Sequence, residues 1–192
     1  MNFSLQKITG EDLLQFKRDM QEAFQKGFED VYGKTEGTIL PEKDIDSSLN
    51  EEGSVAYKAV VDGSMVGGAV VVIDNKTQHN HLHLLYVKCG VQTKGIGYKM
   101  WSEIEKLHPE TKIWETCTPY FERRNIHFYV NKCGFYIVEF QNERNSSEDI
   151  PDDFIGDGGD GMFIFRKEMK NDLREIVHPD YIAEVMNILQ NK

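Results

Sequence analysis

The stretch His81-Leu82-His83-Leu84-Leu85-Tyr86-Val87, then Lys88-Cys89-Gly90-Val91, then Gln92-Thr93-Lys94-Gly95-Ile96-Gly97, decides how this chain folds. The first seven residues, closing on an unbroken apolar and aromatic run, read as a strand. Ile96, Met100, Ile104 and Leu107 then recur at three- and four-residue steps, one face of a helix that stops near His108-Pro109. A glycine-bearing turn between strand and helix sits where unpaired N–H groups point out of a helix N-terminus, a place that attracts anions. Gly95 and Gly97 let a phosphate approach the backbone without meeting a Cβ, and Lys94 adds a point charge.

Upstream, Ala56 to Val61, the turn Asp62-Gly63, and Met65 to Asp74 form a hairpin that leads into the quoted strand, so three antiparallel strands run consecutively. Phe3 to Ile8 is a further short strand. Thr9-Gly10-Glu11-Asp12 caps a helix whose stripe is Leu13, Phe16, Met20, Phe24, Phe28 and Val31, ended by Gly33. Ile45 and Leu49 share a face of a shorter helix after Pro41. Downstream, Lys112 to Cys117 is a strand, Thr118-Pro119 opens a helix, and Cys133-Gly134 closes it. Phe135 to Phe140 and Met162 to Met169 are strands, separated by a loop holding Glu148, Asp149, Asp152, Asp153, Asp157 and Asp160.

This order predicts an α+β fold: a mixed, mostly antiparallel sheet flanked by helices, in one domain over residues 1–170. Residues 171–192 are expected to form a C-terminal helical extension, with Ile182, Val185, Met186 and Leu189 on one face, packed on the domain or on a partner.

The 192 residues leave room for one ordinary domain, and 22 basic against 32 acidic side chains give a net charge of −10. That balance argues against phosphate-wrapping nucleic-acid binding and against an anionic membrane surface. No apolar run approaches the length of a membrane helix and the N-terminus has no signal pattern, so a cytoplasmic protein is expected. Cys89, Cys117 and Cys133 make an odd set with no Cys-x-x-Cys pair, which suits a reducing compartment. His79, His81 and His83 alternate, so a strand sets them on one face; an ordinary strand face is expected there, with no metal site.

Three phosphate motifs compete for the glycine turn. Gly90 and Gly95 have P-loop spacing, but Ile96-Gly97 stands where Lys-Ser/Thr is required, which excludes a nucleotide triphosphatase. A dinucleotide fingerprint needs a glycine where Met100 stands. The pattern Gln/Arg-x-x-Gly-x-Gly/Ala is satisfied at every defined place by Gln92 to Gly97. With Leu84-Leu85-Tyr86-Val87 before it and Cys133-Gly134-Phe135 after it, the chain resembles the GNAT superfamily of acyl-CoA-dependent N-acetyltransferases, from Phe3 to Met169.

The resemblance implies acetyl-CoA as co-substrate, with the acetyl group passing directly to a primary amine of a small molecule or peptide, in a monomer or homodimer. Leu85, Tyr86, Val87, Gln92, Thr93, Lys94, Gly95, Ile96, Gly97 and Asn125 are then the cofactor-binding residues, the backbone of Leu85 to Val87 stabilising the oxyanion. His83 stands where many members carry a carboxylate and is the candidate base, with His81 in reserve; a plain strand histidine is the alternative. Tyr129 is the candidate acid. It lies five residues before Gly134, where the family's tyrosine lies four before and this chain has Val130. Either the helix is locally distorted there, or Tyr129 packs in the core and Tyr120 or water donates the proton. The rival reading is an acyl-CoA-binding sensor of the same fold without turnover. The acidic loop, if it borders the acceptor, favours cationic amines.

Overall fold

The computed structural model describes residues 2–91, 95–142 and 161–169. Strand β1 (Phe3–Lys7), helices α1 (Leu13–Tyr32) and α2 (Glu42–Asn50), strands β2 (Ser54–Val61), β3 (Ser64–Val72) and β4 (His79–Val87), helix α3 (Ile96–Leu107), strand β5 (Ile113–Pro119), helix α4 (Arg123–His127, continued as a π turn over Phe128–Cys133), and strands β6 (Tyr136–Gln141) and β7 (Met162–Glu168) follow in that order. The seven strands form one sheet in the order β1-β2-β3-β4-β5-β7-β6. Among the described residues only β4 and β5 pair in parallel, so the sheet is mixed and mostly antiparallel as the element order predicted.

Apolar side chains on both sheet faces explain why helices cover both. On one face Phe16 and Met20 of α1 and Ile45 of α2 meet Val70 and Tyr86; on the other Met100, Trp101 and Ile104 of α3 meet Trp114, Phe135 and Phe165. Gly68 sets the approach of α1: a Cβ there would stand 2.3 Å from the Phe16 ring.

Two helix starts differ from expectation. Asp12, not Thr9, adjoins the first turn of α1. Its carboxylate reaches back to accept bonds from the Thr9 N–H (2.8 Å) and hydroxyl (2.9 Å) and pairs with Lys58 at 2.7 Å. Helix α4 opens at Arg123 rather than at Thr118-Pro119, because Thr118 and Pro119 are still laddered to Phe163 and Met162 of β7. Gly33 and Gly134 close their helices as predicted, Gly134 in the left-handed conformation (φ +79°) that suits glycine. The acidic loop residues Glu148, Asp149, Asp152, Asp153, Asp157 and Asp160, and the extension at 171–192, lie outside the described residues. Among the described residues no helix is long and apolar enough to cross a membrane.

Candidate active site

Strands β4 and β5 share three rungs, His79 with Ile113, Asn80 with Trp114 and His81 with Glu115, and then part. The cause lies in β4. Opposite consecutive residues Val70 and Val71 of β3 stand Leu84 and Leu82, so His83 is the extra residue of a β-bulge. A bulge bends and twists its strand, and here it turns the second half of β4 away from β5. The Thr116 hydroxyl donates to the Leu82 carbonyl (2.8 Å), satisfying a group at the root of the gap.

A cavity of about 350 Å³ opens beside the diverging strand. Leu85, Tyr86 and Val87 of β4 line it, with Gly95 and Gly97 at the start of α3, Asn125, Phe128 and Lys132 on the α4 side, and Ala23, Phe24 and Gly27 of α1. Gly95 holds φ +68°, the left-handed conformation that lets the chain turn into α3, and its carbonyl accepts the Lys99 N–H at 3.1 Å. The structure therefore brings together six of the residues read as cofactor-binding: Leu85, Tyr86, Val87, Gly95, Gly97 and Asn125. Gln92, Thr93 and Lys94 lie outside the described residues. The Ile96 side chain is buried in the core (1 % exposed), which leaves only its backbone for a ligand.

Arg124 and Lys132 add cationic lining. Arg123 lines a neighbouring cavity of about 540 Å³. That second cavity is formed by Asp30, Val31 and Tyr32 at the end of α1 and by Tyr120 to Arg124, and it shares Gly27, Glu122 and Arg124 with the first.

Glu122 thus stands at the junction of both cavities, a position no sequence motif marked. Burial pushes its carboxyl above the ordinary value against the opposing pull of Arg124, and Asp30 adds a further upward push. The adjoining Pro119-Tyr120-Phe121 turn was the available clue, since functional residues fall disproportionately on loops that a rigid scaffold positions.

His83 is half-buried at the bulge, its Nδ1 3.4 Å from Glu51 Oε2 at the end of α2, and is not in the wall of either cavity. His81, the reserve, lies beside Glu115, and burial holds its imidazole below the usual value. Tyr129 sits inside the π turn. A π turn takes in about one residue more than an α turn, so the fifth residue before Gly134 occupies the angular place that the fourth has in an α-helix. Tyr129 is also buried, packed on Phe128, Phe135 and Phe165 beside Thr116, and the cavity wall does not include it. Both alternatives foreseen for it, a distorted helix and a core position, hold together. Its burial raises the phenol well above the ordinary tyrosine value.

Residues 17–135 match the Acetyltransferase (GNAT) family. The uncharacterized protein YrkN of Bacillus subtilis (strain 168) is 46% identical over 165 residues, 83% of this chain and 89% of that protein. A Bacillus subtilis acetyltransferase crystallised in complex with CoA superposes with a TM-score of 0.60 at 20% identity, covering 88% of this chain and 99% of that one. The ribosomal-protein-S18-alanine N-acetyltransferase from Escherichia coli gives 0.64 at 14% identity, covering 89% and 97%. At such identities these two structures speak for the fold alone.

Proposed function

The chain belongs to the acetyltransferase (GNAT) family, and from that premise we propose that it transfers an acetyl group from acetyl-CoA directly to the primary amine of an acceptor. The observation that carries this reading is the cavity at the parting of β4 and β5, which runs from the glycine end of α3 to Glu122 and there meets a second cavity. The N-terminus of α3, with the backbone from Gln92 to Gly97, receives the pyrophosphate; Arg124 and Lys132 supply cationic partners. The thioester lies along Leu85 to Val87, whose backbone amides stabilise the oxyanion.

The amine nitrogen attacks the thioester carbonyl, the C–N bond forms, and the C–S bond breaks to release the thiolate. An alkylamine with a pKa of about 10.4 is mostly protonated at neutral pH, a handicap of about 4–5 kcal/mol, so removal of its proton is worth assisting. Glu122 is the first candidate for that proton, because it reaches both cavities and its burial raises its basicity. His83 at the bulge is the second, acting through water. Burial raises the pKa of Tyr129, which makes full proton transfer from its phenol to a thiolate uphill, and its ring lies outside the cavity wall, so water supplies the proton.

The second cavity takes the acceptor. Tyr32, Tyr120 and Phe121 suit an amine carried on an apolar body; Asp30 there is paired with Lys26 and Arg124, so Glu122 and the net charge of −10 are what favour a cationic amine. Three cysteines without a disulfide among the described residues fit a cytoplasmic enzyme. The test is thiol release from acetyl-CoA across a panel of polyamines, lysine peptides, neutral amines and anionic amino acids, with product mass measured. Turnover with cationic amines supports the assignment; turnover only with anionic amino acids rejects the acceptor class. Binding of acetyl-CoA with no turnover across the panel selects the sensor reading, which draws on the burial of Tyr129.

A further inference from the structure

The face on which His79 and His81 stand carries more than a strand pattern. Parallel pairing sets Glu115 of β5 opposite His81, at the last rung before the strands part. Glu115 Oε2 lies 3.4 Å from His79 Nε2, and Oε1 lies 3.8 Å from His81 Nδ1. One donor atom from each of the three side chains falls within 4.8 Å of the other two. The imidazoles of His79 and His81 are stacked, 5.1 Å apart at 10°. His79 Nε2 is sealed from solvent and, although near Glu115, makes no hydrogen bond.

We propose that His79, His81 and Glu115 form a binding site for a divalent transition-metal ion of the zinc type, which fastens β4 to β5 at the root of their parting. Zinc bonds of 2.0–2.2 Å place tetrahedral ligand atoms about 3.4 Å apart. The His79 to Glu115 separation already meets that spacing, and the three ligand atoms lie within 4.8 Å of one another, so side-chain adjustment toward a bound ion has a short distance to cover. Two imidazoles and one carboxylate favour a borderline cation over magnesium or calcium, which take oxygen ligands. Three protein ligands leave one position open.

Arg166 Nε donates to Glu115 Oε2 at 2.6 Å. A carboxylate has lone pairs for both partners, so Arg166 orients Glu115 from outside the site as outer-shell groups orient metal ligands. It also offsets part of the carboxylate charge, which makes this a reversible site rather than a permanently filled one. The ion would act on the enzyme by holding the gap between the strands, since His83, the residue of the bulge, follows His81 by two positions on the same strand.

The experiment uses the untagged full-length chain, stripped with a chelator and titrated with zinc chloride by calorimetry, with magnesium chloride as the hard-cation arm. Cobalt(II) reports the ligand set through its visible absorption. One zinc ion per chain, cobalt bands of a four-coordinate site and no magnesium binding are expected. His79→Gln and His81→Gln should each weaken zinc about tenfold or more, whereas His127→Gln, an exposed histidine of α4, should leave it unchanged. At free zinc 100 times the dissociation constant, the folding equilibrium should rise about 100-fold. Absence of stoichiometric zinc binding in the wild type overturns the proposal, as does an affinity that survives the double substitution of both histidines.

Discussion

Glu122 Oε1 lies 2.7 Å from the point that a Cβ on Gly27 would occupy, so α1 and the residue just before α4 share one small space between the two cavities. The close atom is the far end of a flexible side chain. Gly27→Ala should therefore move the carboxylate and not the backbone, with a gain of about 0.8–1.0 kcal/mol in helix propensity offsetting the crowding. The expected result is an unchanged or higher melting temperature with kcat/KM for the amine lowered about tenfold. Unaltered kinetics in that variant would remove Glu122 from the proton path.

The pH profile separates Glu122 from His83. A base works only when deprotonated, and burial raises the Glu122 pKa, so activity should fall with acid at a higher pH than an ordinary carboxylate allows. Glu122→Gln should abolish that limb and leave kcat/KM rising with pH as the amine itself deprotonates. If His83→Ala removes the limb and Glu122→Gln preserves it, the imidazole is the base.

Gly97 tests the proposed placement of the cofactor in the first cavity. A Cβ at this position would meet the Phe128 ring at 3.4 Å and Val87 at 3.6 Å, ordinary contacts, so Gly97→Ala should fold and bind with little change. The two further methyl groups of Gly97→Val must enter the cavity, and acetyl-CoA affinity measured by calorimetry should fall about 100-fold or more, while far-UV circular dichroism stays native. Full affinity in a folded valine variant contradicts the placement of the pyrophosphate.

Asp19 of α1 is 3 % exposed and accepts from Lys88 Nζ at 3.0 and 3.2 Å and from Gln15 Nε2 at 2.7 Å. Lys88 directly follows the cavity strand, so this pair ties α1 to the end of β4. Lys88→Ala leaves a buried carboxylate without its cation and should cost about 2 kcal/mol in urea unfolding, less than for a fully buried pair because the lysine is 39 % exposed. Asp19→Asn in the same background should recover part of the loss. Additive losses would show that the two side chains do not act as a pair.

Much of the fold was legible because its signals are local. The Asp62-Gly63 turn, the alternation of the strands, the helical steps of Phe16 and Met20 or Met100 and Ile104, and the closing Gly33 and Gly134 each depend on neighbours within a few residues. The start of α4 was misread for the complementary reason. Thr118-Pro119 has the chemistry of a helix cap, yet β7, more than forty residues later, holds both residues in the sheet. Propensity yields where a ladder partner is available.

The family and most of the first cavity's wall were written in local sequence, since a strand, a turn and a helix that are consecutive in the chain must also be consecutive in space. Which distant side chains meet depended on the three-dimensional packing. Glu122 meets Gly27 across 95 positions, Glu115 reaches His79 and His81 through a parallel pairing, and the bulge at His83 exists only in its register against β3. Tyr129 joins both levels: the chain shows it one residue out of step, and the π turn takes up that residue while the packing of Phe135 and Phe165 buries it. Contacts between distant segments follow from how apolar faces stack and how strands choose their partners, and no window of the sequence contains that choice.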